Sequence, residues 1–521
     1  MEAELKKFLE GTGQEHILDR WEYLAEEQQK HLYEQCKALL KSPEHVKFLG
    51  EVLQTSLEML AKGTPNNIQP PSESDVVHLK DEDDIANYYN EGEAMIKNKG
   101  VAVVILAGGS GTRLGTSFPK GMLVPPQLSL RASLFQMHCQ RVLKAEQFFD
   151  APGAILVAIM TSAQTHDATT KFFADNKYFG LQASQVHFFQ QSSLPCFTPE
   201  GKIIMEDLGV IAQAPGGNGG VWSSLADSGV LSSMQSHGVQ YAHIITVDNL
   251  LAPAIDPWFF GFAAKRSADV VVKTTPKASD AEAVGVFAQR DGKWGVVEYT
   301  EIGAVRAKEV HPKTKKRLYN AANIAMHLCS LEFLKTAADV MKTFQQYHAA
   351  KKVIPTCVMN DDTLGFALQP DGRKLGKCNG VKIEAFIFDV FQFAKNFKMV
   401  QVDRAEEFAP IKNADNDDPK VIAKDSPASA VRLLHSLHAK WIAESVWITN
   451  AHRAGDKMEL SPNVRAEISP LVSMTKEGLH RTHDIKSKWQ QFEDEADADK
   501  GKLVFVVDVD GVRIEQFKAH I

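Results

Sequence analysis

The sequence predicts an α/β fold built on a mostly parallel sheet, with a helical segment before it and a small C-terminal α/β domain after it. Three observations lead there. Short apolar runs recur from about residue 100, at 101–106, 155–160, 186–189 and 244–247. Helix-patterned stretches, such as 134–149 and 165–173, separate several of them. The texture of the chain changes on both sides of this region. Buried strands that alternate with helices pair in parallel, because each crossover helix returns the chain to the same end of the sheet.

The elements follow in order. Residues from about 1 to 60 are rich in Leu, Glu, Gln, Lys and Ala. Ile17, Trp21, Leu24 and Leu32 recur near helical spacing with Gln28 in the gap, which predicts an amphipathic helical segment. A Pro- and Asn-rich connector follows at 64–74. The region around 284–327 reads as antiparallel strands inserted beside the main sheet, and 383–397 as a return to helix. Beyond Pro419, 428–447 is patterned as helix and 503–512 as strand and turn. At 521 residues the chain exceeds what one core serves. The expected partition is 1–95 (helical), 96–418 (the α/β core) and 419–521 (the small C-terminal domain).

Composition limits the function. Hydrophobic residues make up 44% and charged residues 24%, with a net charge of −7. A general nucleic-acid binder carries a basic surplus, so a site for phosphates here must concentrate its cations locally. The six cysteines are scattered without a C-x-x-C pair, and the eighteen histidines show no metal-binding spacing. No apolar run follows Met1, because Lys6, Lys7 and Glu10 interrupt it. These features predict a reduced, cytoplasmic protein without zinc, without a signal peptide and without a membrane span. The last residues, Ala519-His520-Ile521, resemble the small-basic-aliphatic address of a peroxisome-like organelle, which is the alternative location. No oligomeric state is legible.

The strongest local signal is Leu106-Ala107-Gly108-Gly109-Ser110-Gly111-Thr112-Arg113-Leu114-Gly115, followed by Pro119-Lys120. It begins where a buried strand ends, which is where open α/β sheets bind ligands. Glycines let backbone N–H groups approach phosphate, Arg113 offers a fork to its oxygens, and Lys120 offers a point charge. A Walker loop is excluded because Lys120 precedes Gly121 and Met122. A dinucleotide fingerprint is excluded by the wider spacing to Gly115 and by the lack of any Asp or Glu between Met122 and Ala145. With that fingerprint goes the oxidoreductase reading.

This string resembles the signature of the eukaryotic-type UDP-sugar pyrophosphorylases, and within them the UDP-N-acetylglucosamine (UDP-N-acetylhexosamine) pyrophosphorylases. The likeness continues in order from about residue 100 to 415. It implies a Rossmann-like nucleotidyltransferase core that joins UTP to N-acetylglucosamine 1-phosphate, giving UDP-N-acetylglucosamine and pyrophosphate, with Mg²⁺ (or Mn²⁺) as cofactor. UDP-glucose or broad-range UDP-sugar synthesis is the alternative. A catalytically silent binding protein would be expected to lack Arg113, Lys120 or Lys412, and all three are present.

The resemblance also implies residue roles. Leu106, Ala107, Gly108 and Gly109 would line the nucleotide. Gln191, at the end of a strand, would read uracil, whose N3–H and O4 edge suits an amide. In the second glycine loop, Gly217 would meet the base and Asn218 the sugar. Gly285, Glu298 and Asn323 would hold hydroxyls and the acetamido group. Phe386 and Phe388 would wall its methyl, although core packing is the plainer reading of an aromatic run. Arg113, Lys120 and Lys412, the last within Lys412-Asn413-Ala414-Asp415, would neutralise phosphates. Asp248 would hold the metal, since Mg²⁺ accepts one or two carboxylates and keeps waters. The chain departs from the pattern at Ser110 (often Gln), Gly216 (usually Asp) and Ala322 (often Gly).

Overall fold

The computed structural model describes residues 1–62, 67–78, 82–343, 347–358, 367–368, 374–418, 421–448, 465–473, 479, 488–489, 492 and 503–516. The C-terminal tripeptide Ala519-His520-Ile521 and residues 64–66 of the connector lie outside them.

An eleven-stranded sheet organises the chain. Its main path is formed by β1 (Val76–Val77), β2 (Val101–Leu106), β3 (Leu156–Thr161), β4 (Val186–Gln190), β5 (Tyr241–Thr246), β6 (Val270–Pro276), β7 (Ala321–Ser330) and β8 (Phe397–Gln401). The spatial order is β1-β8-β6-β7-β5-β2-β3-β4. Every neighbouring pair is parallel except the two that β7 makes, with β5 and β6. Strands β2, β3, β4 and β5 therefore present their C-terminal ends along one edge, the edge at which such sheets bind ligands.

The alternation of side chains divides two cores. Ala102, Val104 and Leu106 of β2 face one, and Val101, Val103 and Ile105 face the other, all buried. The first core includes Leu5, Trp21, Leu32, Leu49 and Leu53 from the N-terminal segment together with Trp222, Phe333 and Phe391. The second is closed by helices Glu82–Lys97, Leu134–Phe148, Pro257–Lys265 and Pro427–Ile448. A strand covered on both faces has no reason to alternate polar residues, which is why β2 reads as a continuous apolar run.

Several expectations are corrected. The N-terminal stripe is buried as predicted, but on separate pieces: turns at Glu15–Leu18 and Trp21–Tyr23, then a helix at Glu26–Gln35. The connector is stitched to the core, because Ile68 pairs with Arg290 and Val76 with Met399. Residues 383–397 are not one α-helix. Lys374–Glu384 is a strand, Ile387–Phe393 a 3₁₀ turn, and β8 begins at Phe397. The physical reason is tertiary: Val381 pairs with Phe197, and Asn218 accepts the Ile387 N–H, so distant segments set the backbone there. The inserted hairpin runs Val286–Arg290 and Lys293–Val297, so Gly285 and Glu298 lie just beyond its strand ends rather than on them.

Toward the C-terminus, Ala466–Ile468 pairs with Leu503–Asp508 and that strand with Gly511–Gln516, over a core containing Trp489, Phe492 and Phe505. This segment also reaches the loop that follows the first glycine-rich stretch. Fully buried Glu467 accepts hydrogen bonds from the Ser129 and Leu130 N–H groups and from the His435 ring, and so pins the loop that follows Lys120. Among the described residues no helix is long and apolar enough to cross a membrane.

One buried charge lies in the middle of the sheet. Lys273, with no exposed surface, contacts Asp256 at 2.5 Å and Glu407 at 2.7 Å and lies 4.8 Å from the ring centres of Trp258 and Phe259. Burial raises both carboxyls and the lysine opposes that rise. Lys273→Met keeps the volume and strands two buried acids. It should cost about 3–5 kcal/mol, read as a lower urea midpoint at pH 7; a loss below about 1 kcal/mol would show that the cluster is not structural.

Candidate active site

Three strand ends meet at the ligand edge, and backbone hydrogen bonds carry the register past the sheet. The Ala107 N–H donates to Met160, the Gln191 N–H to Thr161 and the Val247 N–H to Leu106. The first glycine loop, the end of β4 and the Asp248 turn are thus fixed side by side. Within the glycine loop the chain doubles back: Gly111 donates to Phe118, and Lys120 donates to Gly109 at 3.2 Å. This closure returns Lys120 to the start of its own loop. Gly108 lies close against its neighbour: a Cβ there would stand 2.5 Å from Gln191 Nε2 and would displace that amide. The side chain proposed to read the base therefore lies directly over the loop proposed to hold the phosphates.

Charge converges on Asp248. Lys120 Nζ lies 3.0 Å from Asp248 Oδ2, with each side chain 17% exposed. Burial alone would raise the Asp248 carboxyl. The charges of Lys120 and Lys412, with hydrogen bonds from Lys120 and Thr246, outweigh it and hold that pKa below the usual carboxylate range. Lys412 reaches this point through a backbone zipper. Leu250 donates to Ala409, Ile411 donates to Asp248 O at 2.9 Å, and the Asn249 side chain accepts from Ala409 N–H and donates to Glu407 O. A segment more than 150 residues away in sequence is so laid against the end of β5. Lys412 itself is exposed, as is Arg113 on the 3₁₀ turn Gly111–Leu114, which takes no part in the Lys120–Asp248 pair.

The second glycine loop is zipped to the aromatic turn. Gly219 donates to Ala385 O, and Ala385 donates to Gly216 O. Gly217 has φ of +90°, and a Cβ would fall 2.3 Å from Ala385 O, so only glycine fits. Asn218 Oδ1 accepts from Ile387 N–H at 2.9 Å, while Trp222 donates its indole N–H to Ile387 O. The Asn218 oxygen is committed to the turn, and its amide NH₂ is the part that can serve a ligand.

The expected sugar residues also cluster. Asn323 N–H donates to Gly285 O, and Gly285 lies against the Glu298 carboxylate. Asn323 Oδ1 is taken by Ala325 N–H and the His327 ring. Burial and the charge of Glu301 raise the Glu298 carboxyl, while His348 and Lys412 oppose it. Phe386 and Phe388 stand 5.2 Å apart; Phe386 is half-buried and Phe388 is 5% exposed, lining a cavity of about 480 Å³ with Met59, Arg290 and Trp294. Sequence reasoning missed His348 and Asp389. His348 stacks on Phe386 at 4.3 Å and contacts Asp389 Oδ1 at 2.9 Å. An acid inside the run Phe386–Phe393 was the available signal, because a carboxylate among buried aromatics requires a partner.

Asp248 fits Mg²⁺ in one manner. Among the described residues no group of three or more His, Cys, Asp or Glu side chains could hold a metal. A lone carboxylate beside a phosphate loop suits an ion that draws its other ligands from phosphate and water.

Known proteins share this architecture. Residues 49–501 match the family described as UTP--glucose-1-phosphate uridylyltransferase. The human UDP-N-acetylhexosamine pyrophosphorylase-like protein 1 is 36% identical over 497 residues, covering 92% of this chain and 94% of its own. UDP-N-acetylglucosamine diphosphorylase 2 of Arabidopsis thaliana is 35% identical, covering 90% and 89%. The solved structure of the uridine diphosphate N-acetylglucosamine pyrophosphorylase from Trypanosoma brucei, in complex with inhibitor, gives a TM-score of 0.80 at 37% identity over 97% of both chains. Glycine loop, sheet edge and near-complete coverage agree: the chain belongs to the UTP--glucose-1-phosphate uridylyltransferase family.

Proposed function

We propose that this protein makes UDP-N-acetylglucosamine from UTP and N-acetylglucosamine 1-phosphate and releases pyrophosphate. The observation that carries the reaction type is the convergence of Lys120 and Lys412 on Asp248 at the mouth of the glycine loop. A phosphate oxygen of the sugar substrate attacks the α-phosphorus of UTP in line, and the bond to the β-phosphate oxygen breaks. No covalent enzyme intermediate is needed. The protein aligns two anions and offers fixed positive charge where negative charge develops. Lys120 and Lys412 serve the phosphates, with Arg113 closing from the loop surface. Gln191 and the Gly217 backbone hold uracil over Leu106–Gly109. Asp248 would hold Mg²⁺ together with substrate phosphates, where the ion neutralises their charge.

The amino-sugar preference is supported by the names of the relatives, which are N-acetylhexosamine enzymes. A physical counterpart is the aromatic pair Phe386–Phe388, linked through Asp389, His348 and Glu301 to Glu298. An acetamido methyl buried on an aromatic face gains about 1 kcal/mol, and polar groups left unpaired by glucose add discrimination. A pyrophosphate-release assay with UTP and a panel of sugar 1-phosphates tests this. N-acetylglucosamine 1-phosphate should greatly outpace glucose 1-phosphate, and Phe386→Ala should narrow the gap. Equal turnover of both sugars by the unmutated enzyme would favour the broad-range reading instead.

The metal assignment has its own test. Activity should vanish with EDTA and return with Mg²⁺. Asp248→Asn keeps the size and removes the charge, so it should need much more Mg²⁺ for half-maximal rate. An unchanged Mg²⁺ dependence in that variant would leave Asp248 as a partner of Lys120 alone.

A further inference from the structure

His348 opens the strand His348–Val358, and its ring sits at a junction that the proposed reaction leaves unassigned. One face stacks on Phe386, with centroids 4.3 Å apart and planes 30° apart. Its two nitrogens face two carboxylates: Nε2 is 2.9 Å from Asp389 Oδ1, and Nδ1 is 3.8 Å from Glu301 Oε1. Neither acid is a bystander. Asp389, whose side chain is 2% exposed, uses its other oxygen to accept the Phe386 N–H at 2.7 Å. Glu301 uses its other oxygen to accept the Glu298 N–H at 3.1 Å and the Arg290 guanidinium.

The contacts form one continuous bridge. It runs from the Phe386 backbone through Asp389, the His348 imidazole and Glu301 to the Glu298 backbone. The two ends are the residues read above as the aromatic wall and the hydroxyl-binding carboxylate of the sugar pocket. The imidazole is the only ring of the bridge, and it alone touches the wall by stacking and both acids by its nitrogens. Burial pushes the imidazole down, but the hydrogen bond and charge of Asp389 and the charge of Glu301 outweigh this and hold its pKa above the usual value. The ring is hydrogen-bonded to Asp389 through Nε2, while Glu301 stands 3.8 Å from Nδ1 as a charge neighbour.

We propose that His348 is a positioning residue that sets sugar specificity, by locking the Phe386 wall and the Glu298 carboxylate in one register. The proposal rests on the reading that these two residues face the sugar. It predicts an effect on one substrate and not on the other. On the uridine side, Gln191 and the first glycine loop are built on strand ends that the bridge does not touch, and the second glycine loop is held by its own backbone bonds to Ala385 rather than by a member of the bridge.

The test uses full-length enzyme and steady-state kinetics with both substrates varied. His348→Phe keeps a ring on Phe386 and removes both nitrogens. His348→Gln keeps a donor for Asp389. Misplacing a binding group by about 1 Å costs as much as a hundredfold. His348→Phe should therefore raise KM for N-acetylglucosamine 1-phosphate roughly tenfold to a hundredfold, with KM for UTP within about twofold. Its preference over glucose 1-phosphate should narrow. His348→Gln should recover part of both. Equal increases in both KM values, an unchanged sugar preference in both variants, or loss of the folded state in both would overturn the proposal. If the unmutated enzyme makes UDP-N-acetylglucosamine and only the variants fail to behave as stated, this inference alone falls. An unmutated enzyme that does not use N-acetylglucosamine 1-phosphate overturns the reading of the pocket and this inference together.

Discussion

The site depends on one ion pair at a sheet edge, Lys120 with Asp248, and on the means by which Lys412 is brought to it. Three charges must sit together in a chain whose net charge is −7, and each comes from a different part of it. Asp248 is placed by β5, Lys120 by the return of the glycine loop, and Lys412 by the zipper onto residues 248–250. Parallel strands give the first two a common edge. The third has no such guarantee, and Asn249 provides it by bonding its own amide to the Glu407–Ala409 backbone. The cost of gathering cations is offset by the carboxylate they share, and under the proposed function the lysines exchange it for substrate phosphates.

The surrounding fold fixes this arrangement from behind. Lys273, Asp256 and Glu407 form a buried cluster whose member Glu407 leads directly into the zipper. Its Arg141 neighbourhood is also tied down, because Arg141 donates to the Leu250 and Ala252 carbonyls. Buried charge of this kind costs desolvation, which the three groups offset by pairing with one another. Glu467, near the C-terminus, holds the backbone at residues 129 and 130, nine and ten positions beyond Lys120.

The local parts of this account were legible in the sequence. The string 106–115 follows a fully apolar strand, Gln191 and Asp248 follow two more, and strand ends of a parallel sheet share an edge. What was not legible depends on contacts between distant segments. Nothing near Asn249 announces a partner at 407–411. His348 is one of eighteen histidines, and its meaning comes only from Phe386, Asp389 and Glu301. The stretch 383–397 misled because an apolar run buried on all sides has no period to read. There, tertiary pairing of Val381 with Phe197 and capping by Asn218 decided the backbone.

The central claim is that Lys120 supplies charge to the transition state rather than support to the fold. The most direct measurement is the turnover number of Lys120→Ala at saturating substrates and Mg²⁺, taken beside its thermal unfolding midpoint. A fixed group aimed at developing phosphate charge is worth about 3–4 kcal/mol, so turnover should fall roughly a hundred- to a thousandfold in protein that stays folded at the assay temperature, with only a modest drop in the unfolding midpoint from the unpaired Asp248. Near-normal turnover, or a loss of activity that merely follows a loss of folded protein, would contradict the account.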